Sequence, residues 1–189
     1  MAERQARGDS STGIGQGQGG DAMGSRSLSP ELADLVRAAQ SARRQAYAPY
    51  SQFLVGAAIL TSDGRVFTGS NVENASYGLS VCAERTAVLS AVHAGARQIA
   101  AIAVCTELSP PAAPCGMCRQ TLAEFASDCD VVLCGPHGLA GEVLSVRLRE
   151  LLPRAFVPAT LHAFTDQLGS QSDTQPVLKA EHADVAADR

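Results

Sequence analysis

Three cysteines in two separate parts of the chain have the spacing of a metal site. Cys115 and Cys118 lie three positions apart in the run PCGMC at 114–118, and Cys82 opens the run CAE at 82–84. At a junction of loop and helix, two thiols with this spacing can face one ion, and free backbone amides favour their thiolate forms. Such a pair is also typical of redox sites, but a third thiol at the start of another predicted helix favours zinc.

Glu84 is the residue that would make such a site catalytic. Three protein ligands leave the fourth tetrahedral position of zinc open for water, as in catalytic rather than structural sites. Glu84 lies two residues after Cys82, close enough to reach that water without binding the metal, as a general acid and base must. An acid in the first turn of a helix can also serve only the helix dipole, but the adjacent metal ligand favours the catalytic interpretation.

The elements that position these residues follow from the hydrophobic pattern. The predicted elements are a helix from Ser29 to about Tyr47, a hairpin of strands at 54–61 and 66–68, a helix from about Val81 to Gly95, a strand at 99–106, a helix from about Cys115 to Ala126 and a strand at 131–134. Alternation of strands and helices is typical of a sheet with covering helices. The sequence therefore predicts an α/β domain of three layers, α/β/α, around a mixed central sheet.

Composition bounds the domain and excludes some classes of partner. Residues 28–162 suit one domain, whereas 1–27 and 163–189 are polar and are expected to be disordered tails. The net charge is −4 and no basic run is longer than Arg43-Arg44, so a nucleic-acid substrate is disfavoured. No apolar run is long enough for a membrane span. Six cysteines without a secretion signal indicate thiols or metal ligands, and we expect a cytoplasmic protein.

Together, the runs CAE and PCGMC resemble the signature of the zinc-dependent cytidine deaminase superfamily. Within this superfamily, the chain is most similar to small homotetrameric cytidine deaminases that act on free nucleosides. The similarity lies in cysteine as first ligand, in place of the more common histidine, and in the runs PYS at 49–51, VGAA at 55–58, NVENA at 71–75 and LLP at 151–153. The similarity covers about 29–161. It implies a cytidine deaminase-like fold, one Zn²⁺ per chain, and hydrolysis of cytidine and 2′-deoxycytidine to uridine and 2′-deoxyuridine plus ammonia, in pyrimidine salvage.

The same resemblance implies roles for individual residues. Glu84 would take a proton from the water that attacks C4 of the base, deliver it to N3 and later pass one to the leaving amine. The other implied roles are a hydrogen bond from Arg85 to the ligand thiolates, ribose binding by Asn71 and Glu73, packing of Phe53 against base and sugar, backbone contact of Ala83 with the pyrimidine carbonyl, and entry of Tyr77 and Phe156 into a neighbouring subunit's site. Asn71 could instead be a turn residue and Phe53 a core residue.

Other functions fit part of this pattern. A related cytosine nucleoside, such as a nucleoside antibiotic, would need the same zinc chemistry. A non-catalytic zinc module would need a fourth protein ligand and no free carboxylate beside the metal. The remaining thiols, Cys105, Cys129 and Cys134, lie in or beside apolar strands and are expected to be small buried core residues.

Overall fold

A computed structural model describes residues 28–169 of the chain, and it describes the burial of side chains up to residue 165. The elements are α1 (Pro30–Arg43), β1 (Gly56–Thr61), β2 (Val66–Ser70), α2 (Ala83–His93), β3 (Ile99–Cys105), α3 (Gly116–Phe125), β4 (Asp130–Cys134), β5 (Val143–Arg147), α4 (Leu148–Leu151) and α5 (Pro158–Gly169). Short 3-10 turns occur at Tyr77–Leu79 and Gly138–Ala140. Within residues 28–169, each helix is too short or too polar to span a lipid bilayer.

The last described helix extends past residue 162, the expected end of the domain. Helix α5 runs from Pro158 to Gly169, past residue 162, where the sequence predicted a disordered tail. Its apolar residues Leu161 and Phe164 lie three positions apart and are both exposed. The predicted tails at 1–27 and beyond 169 lie outside the described residues.

The five strands form one mixed sheet in the order β2-β1-β3-β4-β5. Strand β1 pairs antiparallel with β2 and with β3, β3 pairs parallel with β4, and β4 pairs antiparallel with β5. The only parallel pair among these strands is joined by α3, since parallel neighbours need a crossover connection. The predicted mixed sheet is confirmed, and β5 is a strand that the sequence analysis did not predict.

Alternate residues of each strand face opposite layers, which produces two cores. Along β3, Ile102 and Val104 face α2 and α3, whereas Ala101, Ala103 and Cys105 face α1. This period of two is the geometry of an extended strand. Because both faces of the central strands are covered, β1, β3 and β4 are almost entirely apolar. The predicted three-layer arrangement is confirmed.

Two glycines allow the helices to approach the sheet closely. A Cβ atom on Gly69 of β2 would lie 2.4 Å from the Ala87 nitrogen and 2.6 Å from the Ala83 oxygen, both in α2. On the opposite face, a Cβ on Gly56 of β1 would lie 2.2 Å from the Ala39 oxygen in α1. Only glycine leaves room for backbone at these distances, so Gly69 determines where α2 lies.

Candidate active site

The first turns of α2 and α3 bring the three predicted thiols together. Cys82 is the N-cap of α2, Cys115 is the N-cap of α3, and Cys118 lies in the first turn of α3. The Sγ atoms of Cys82 and Cys115 are 4.0 Å apart, and those of Cys115 and Cys118 are 3.5 Å apart. Neither N-cap thiol forms a capping hydrogen bond with the backbone of its helix, so both sulfurs are free to face a common point.

The spacing of these sulfurs fits a zinc ion. Tetrahedral coordination with Zn–S bonds of about 2.3 Å separates two sulfurs by about 3.8 Å, and the distances of 3.5 and 4.0 Å lie on either side of that value. Among the described residues, the metal-binding cluster consists of these three ligands. Three ligands leave one coordination position for water, which disfavours the structural zinc module considered from the sequence.

The protonation of the cluster also suits a divalent cation. Hydrogen bonds from Cys118 and then Cys115, with help from the Arg85 guanidinium, lower the pKa of Cys82 to about 5 although its partial burial opposes this. The same interaction with Cys82, together with burial, raises the pKa of Cys118. In the absence of an ion, neighbouring thiols therefore resist ionising together. A bound Zn²⁺ removes that conflict because it stabilises thiolates directly.

Glu84 lies beside this cluster and is buried. Its side chain is 5% exposed, and burial raises the pKa of its carboxyl group, with a further increase from the negative charge of Cys82. A carboxyl group with a raised pKa can both accept and donate a proton near neutral pH. Ala83, its fully buried neighbour, packs in the core that faces β1 and β3.

Arg85 lies beside the ligand Cys82. Its Nη2 donates to the Ser80 carbonyl oxygen at 2.9 Å, and its guanidinium contributes to the lowered pKa of Cys82. Its Nε is buried and has no hydrogen-bond partner among the described residues. A buried cationic donor without a protein acceptor costs free energy, and a ligand thiolate is the acceptor that the sequence analysis assigned to this arginine.

Asn71 and Glu73 hold the loop that precedes β1, a role the sequence analysis missed. The Asn71 side chain accepts from the Val55 N–H at 2.8 Å and donates to the Phe53 carbonyl oxygen at 2.9 Å. The Glu73 carboxylate accepts from the Ser51 hydroxyl, and from the N–H groups of Tyr50 at 2.9 Å and Ser51 at 3.1 Å. An amide and a carboxylate can each form further hydrogen bonds, so both side chains keep hydrogen-bonding capacity with which to bind a ribose.

Tyr77 and Phe156 are both exposed on the surface of one chain. The Tyr77 ring is 78% exposed and meets the Tyr50 ring edge-on, with centroids 6.2 Å apart. Together with Ser51, Glu73 and Ser80, these tyrosines line a cavity of about 370 Å³. The Phe156 ring is 56% exposed. Phe53 is half-buried, and Cys105, Cys129 and Cys134 are fully buried, as predicted for these thiols.

Three thiols at two helix starts, with a buried carboxyl group beside them and a mixed sheet beneath, define a zinc-dependent hydrolytic deaminase. Comparison with known proteins agrees. The model of the cytidine and deoxycytidylate deaminase zinc-binding region matches residues 30–134. The chain therefore belongs to the cytidine and deoxycytidylate deaminase family, which confirms the resemblance, the fold and the zinc cofactor predicted from the sequence.

Individual relatives give the same result. The cytidine deaminase of Halalkalibacterium halodurans is 48% identical over 122 residues, which are 65% of this chain and 91% of that protein. The cytidine deaminase of Mycobacterium tuberculosis is 45% identical over 119 residues, 62% of this chain and 84% of that one. The crystal structure of cytidine deaminase from Burkholderia pseudomallei superposes with a TM-score of 0.61 at 53% identity, covering 65% of this chain and 97% of the other.

Proposed function

We propose that this protein converts cytidine and 2′-deoxycytidine to uridine and 2′-deoxyuridine, releasing ammonia, in pyrimidine salvage. The observation that carries the proposal is the buried Glu84 beside three sulfurs spaced for one zinc ion. Relatives that are 40–48% identical and named cytidine deaminases support cytidine as substrate. The carboxylate of Glu73 would repel a 5′-phosphate, which favours nucleosides over nucleotides. The six free thiols suit a reducing compartment, so we expect the protein in the cytoplasm.

The proposed mechanism assigns the proton transfers to Glu84. Cys82, Cys115 and Cys118 would hold zinc, which when bound makes water a nucleophile at neutral pH. Glu84 takes a proton from the water whose oxygen forms a bond to C4, and passes this proton to N3 of the ring. Glu84 then carries the second proton to the amino group, the C4–N bond breaks, ammonia leaves, and C4 keeps the oxygen as the carbonyl of uridine.

The surrounding residues are proposed to hold the substrate and moderate the charge of the site. Three thiolates on Zn²⁺ leave a net charge of −1, and Arg85 would offset it by donating to a thiolate. Asn71 and Glu73 would bind the ribose with the hydrogen-bonding capacity that the loop leaves unused. Phe53 would pack against the base and sugar, and the Ala83 backbone would meet the pyrimidine carbonyl.

Metal binding and proton transfer can be tested separately. Glu84→Gln is expected to keep one zinc per chain and to lose about 10²–10⁴-fold in kcat, because an amide cannot carry the proton. The control is Glu124→Gln, which removes an exposed carboxylate from α3. Cys115→Ala is expected to lose zinc, whereas Cys129→Ala, which removes a buried thiol outside the cluster, keeps it.

The readouts are metal analysis and the loss of ultraviolet absorbance as cytidine is consumed. Wild-type turnover in Glu84→Gln would contradict the mechanism. A zinc-loaded wild type that leaves cytidine unchanged but deaminates another cytosine nucleoside would show that the substrate, rather than the chemistry, has been misassigned.

The active species is proposed to be a homotetramer. Tyr77 and Phe156 are large aromatic residues, 78% and 56% exposed in one chain, and aromatic side chains are enriched at protein interfaces. Phe156→Ala should raise KM about tenfold through lost packing on the substrate without loss of zinc. At cytidine concentrations well below KM, a mixture of Phe156→Ala and Glu84→Gln whose subunits exchange should be more active than the sum of the two variants, if each site uses residues of two subunits. A single-chain mass by light scattering, at full specific activity, would refute the tetramer.

A further inference from the structure

Two side chains that directly follow Cys118 connect the metal-binding loop to the segment that carries Phe156. Arg119 donates from Nε to the Pro114 carbonyl oxygen at 2.7 Å and from Nη1 to the Leu151 carbonyl oxygen at 2.8 Å. Gln120 donates from Nε2 to the Phe156 carbonyl oxygen at 2.6 Å. The sequence analysis assigned no role to either residue, although both adjoin a metal ligand.

The Arg119 hydrogen bonds are of a strong kind. A guanidinium donates charge-assisted hydrogen bonds in a rigid planar fork, which a lysine ammonium cannot reproduce. Arg119 is half-buried and forms no ion pair with an acid among the described residues. Pro114 is fully buried. Because a buried carbonyl group without a hydrogen-bond donor costs free energy, the Arg119 guanidinium stabilises the loop by donating to the Pro114 carbonyl.

The geometry indicates what each contact positions. The Pro114 carbonyl belongs to the peptide bond that enters Cys115, so fixing this carbonyl fixes the backbone of a metal ligand. Cys115 itself is exposed, so surrounding side chains do not enclose it. On the other side, α4 ends at Leu151 and the chain then passes through Arg154, a non-glycine residue with φ of +58°. At the two ends of this irregular stretch, the carbonyl groups of Leu151 and Phe156 accept hydrogen bonds from side chains.

We propose that Arg119 and Gln120 are positioning residues: Arg119 sets the Cys115 loop and anchors the end of α4, and Gln120 sets the Phe156 backbone. The proposal rests on the function proposed above, in which Cys115 binds zinc and Phe156 contacts substrate. The proposal predicts different effects for substitutions of the two residues. Loss of the Arg119 fork affects both zinc retention and substrate binding, whereas loss of the Gln120 donor affects substrate binding alone.

The test compares Arg119→Lys and Gln120→Leu with the wild type. Lysine keeps the charge and the aliphatic stem but can reach only one of the two carbonyls. We expect Arg119→Lys to release zinc to a chromogenic chelator about tenfold faster and to raise KM for cytidine, since groups that orient metal ligands have effects of about 10–100-fold. Gln120→Leu should raise KM severalfold while zinc release and kcat remain those of the wild type.

The matched control is Arg149→Lys. Arg149 is 74% exposed and pairs with Asp128 at 3.4 Å, which is not a residue of the thiol cluster, so both zinc release and KM should remain unchanged. If Arg119→Lys only lowers the melting temperature, with zinc release and KM within twofold of wild type, Arg119 is an ordinary structural residue and the proposal is overturned. Faster zinc release in Gln120→Leu would overturn the division of roles.

Two further outcomes are also decisive. If Arg119→Lys does not fold, a wild-type KM in Gln120→Leu overturns the proposal and a raised KM with normal zinc release supports it. If the wild type holds zinc but does not deaminate cytidine, the proposed function fails, and the chelator assay still measures whether Arg119 positions Cys115.

Discussion

Replacing Gly69 by alanine should damage the zinc site from a position on the neighbouring strand. The added Cβ would lie 2.4 Å from the Ala87 nitrogen, 2.6 Å from the Ala83 oxygen and 2.8 Å from the Thr86 Cβ, all in α2. Non-bonded heavy atoms are most stable at about 3.5–4.0 Å, so α2 must move away by about 1 Å. Strand β2 is paired with β1 along its length, which leaves the helix as the part that shifts.

The displacement acts directly on the chemistry because Ala83 lies between Cys82 and Glu84. Metal–ligand distances tolerate about ±0.2 Å, and a displacement of about 1 Å can reduce turnover about 100-fold. The clash should also cost about 1–3 kcal/mol of the free energy of unfolding, as overpacked cores do. Gly69→Ala is therefore expected to bind less than one zinc per chain and to lose about 100-fold in kcat.

Gly56→Ala is the matched control. It introduces an equally severe clash, 2.2 Å from the Ala39 oxygen, but with α1 on the opposite face of the sheet. It should lose a similar amount of stability while keeping one zinc per chain. The measurements are zinc content, kcat on cytidine and thermal unfolding for both variants. A Gly69→Ala protein with full zinc and kcat within twofold of wild type would refute the reasoning, as would equal zinc loss in both variants.

Three other predictions follow from the structure. Leu122 is fully buried between α3 and the sheet, so Leu122→Ala should lower the free energy of unfolding by about 2–5 kcal/mol in denaturant titration, and a loss below 1 kcal/mol would contradict this packing. Hydrogen bonds from Arg65 and then Thr61 lower the pKa of Asp63 from 3.8 to about 2. A carboxyl group with a lowered pKa in the folded state stabilises the fold at pH values above its pKa in the unfolded chain, and this stabilisation is lost as pH falls through the folded-state pKa. The melting-temperature difference between wild type and Asp63→Asn should therefore vanish between pH 4 and pH 2. A difference that stays constant over this range would show that the effect of the substitution has another cause. A chain limited to residues 28–169 should keep zinc and activity, because the sequence outside this range is polar and offers few side chains to bury. Loss of zinc on shortening would assign a structural role to the removed residues.

Much of this site could be predicted from sequence because its chemistry depends on local runs of residues. The runs at 82–84 and 114–118 specify three thiols and a carboxyl group, each at a helix start, where backbone amides favour anions. The apolar periodicity of α1, α2, β1 and β3 likewise reflects local geometry. For these features the residue types and their spacing were sufficient.

The tertiary structure decided the features that depend on distant partners. Asn71 and Glu73 use much of their hydrogen-bonding capacity on residues 16–23 positions away in the chain, which no local pattern shows. Arg119 and Gln120 reach carbonyl groups 32 and 36 positions away, and Gly69 matters only because α2 lies against it. A backbone carbonyl is the same in every residue, so sequence cannot indicate which one a side chain will bind; only folding places donor and acceptor within hydrogen-bond distance.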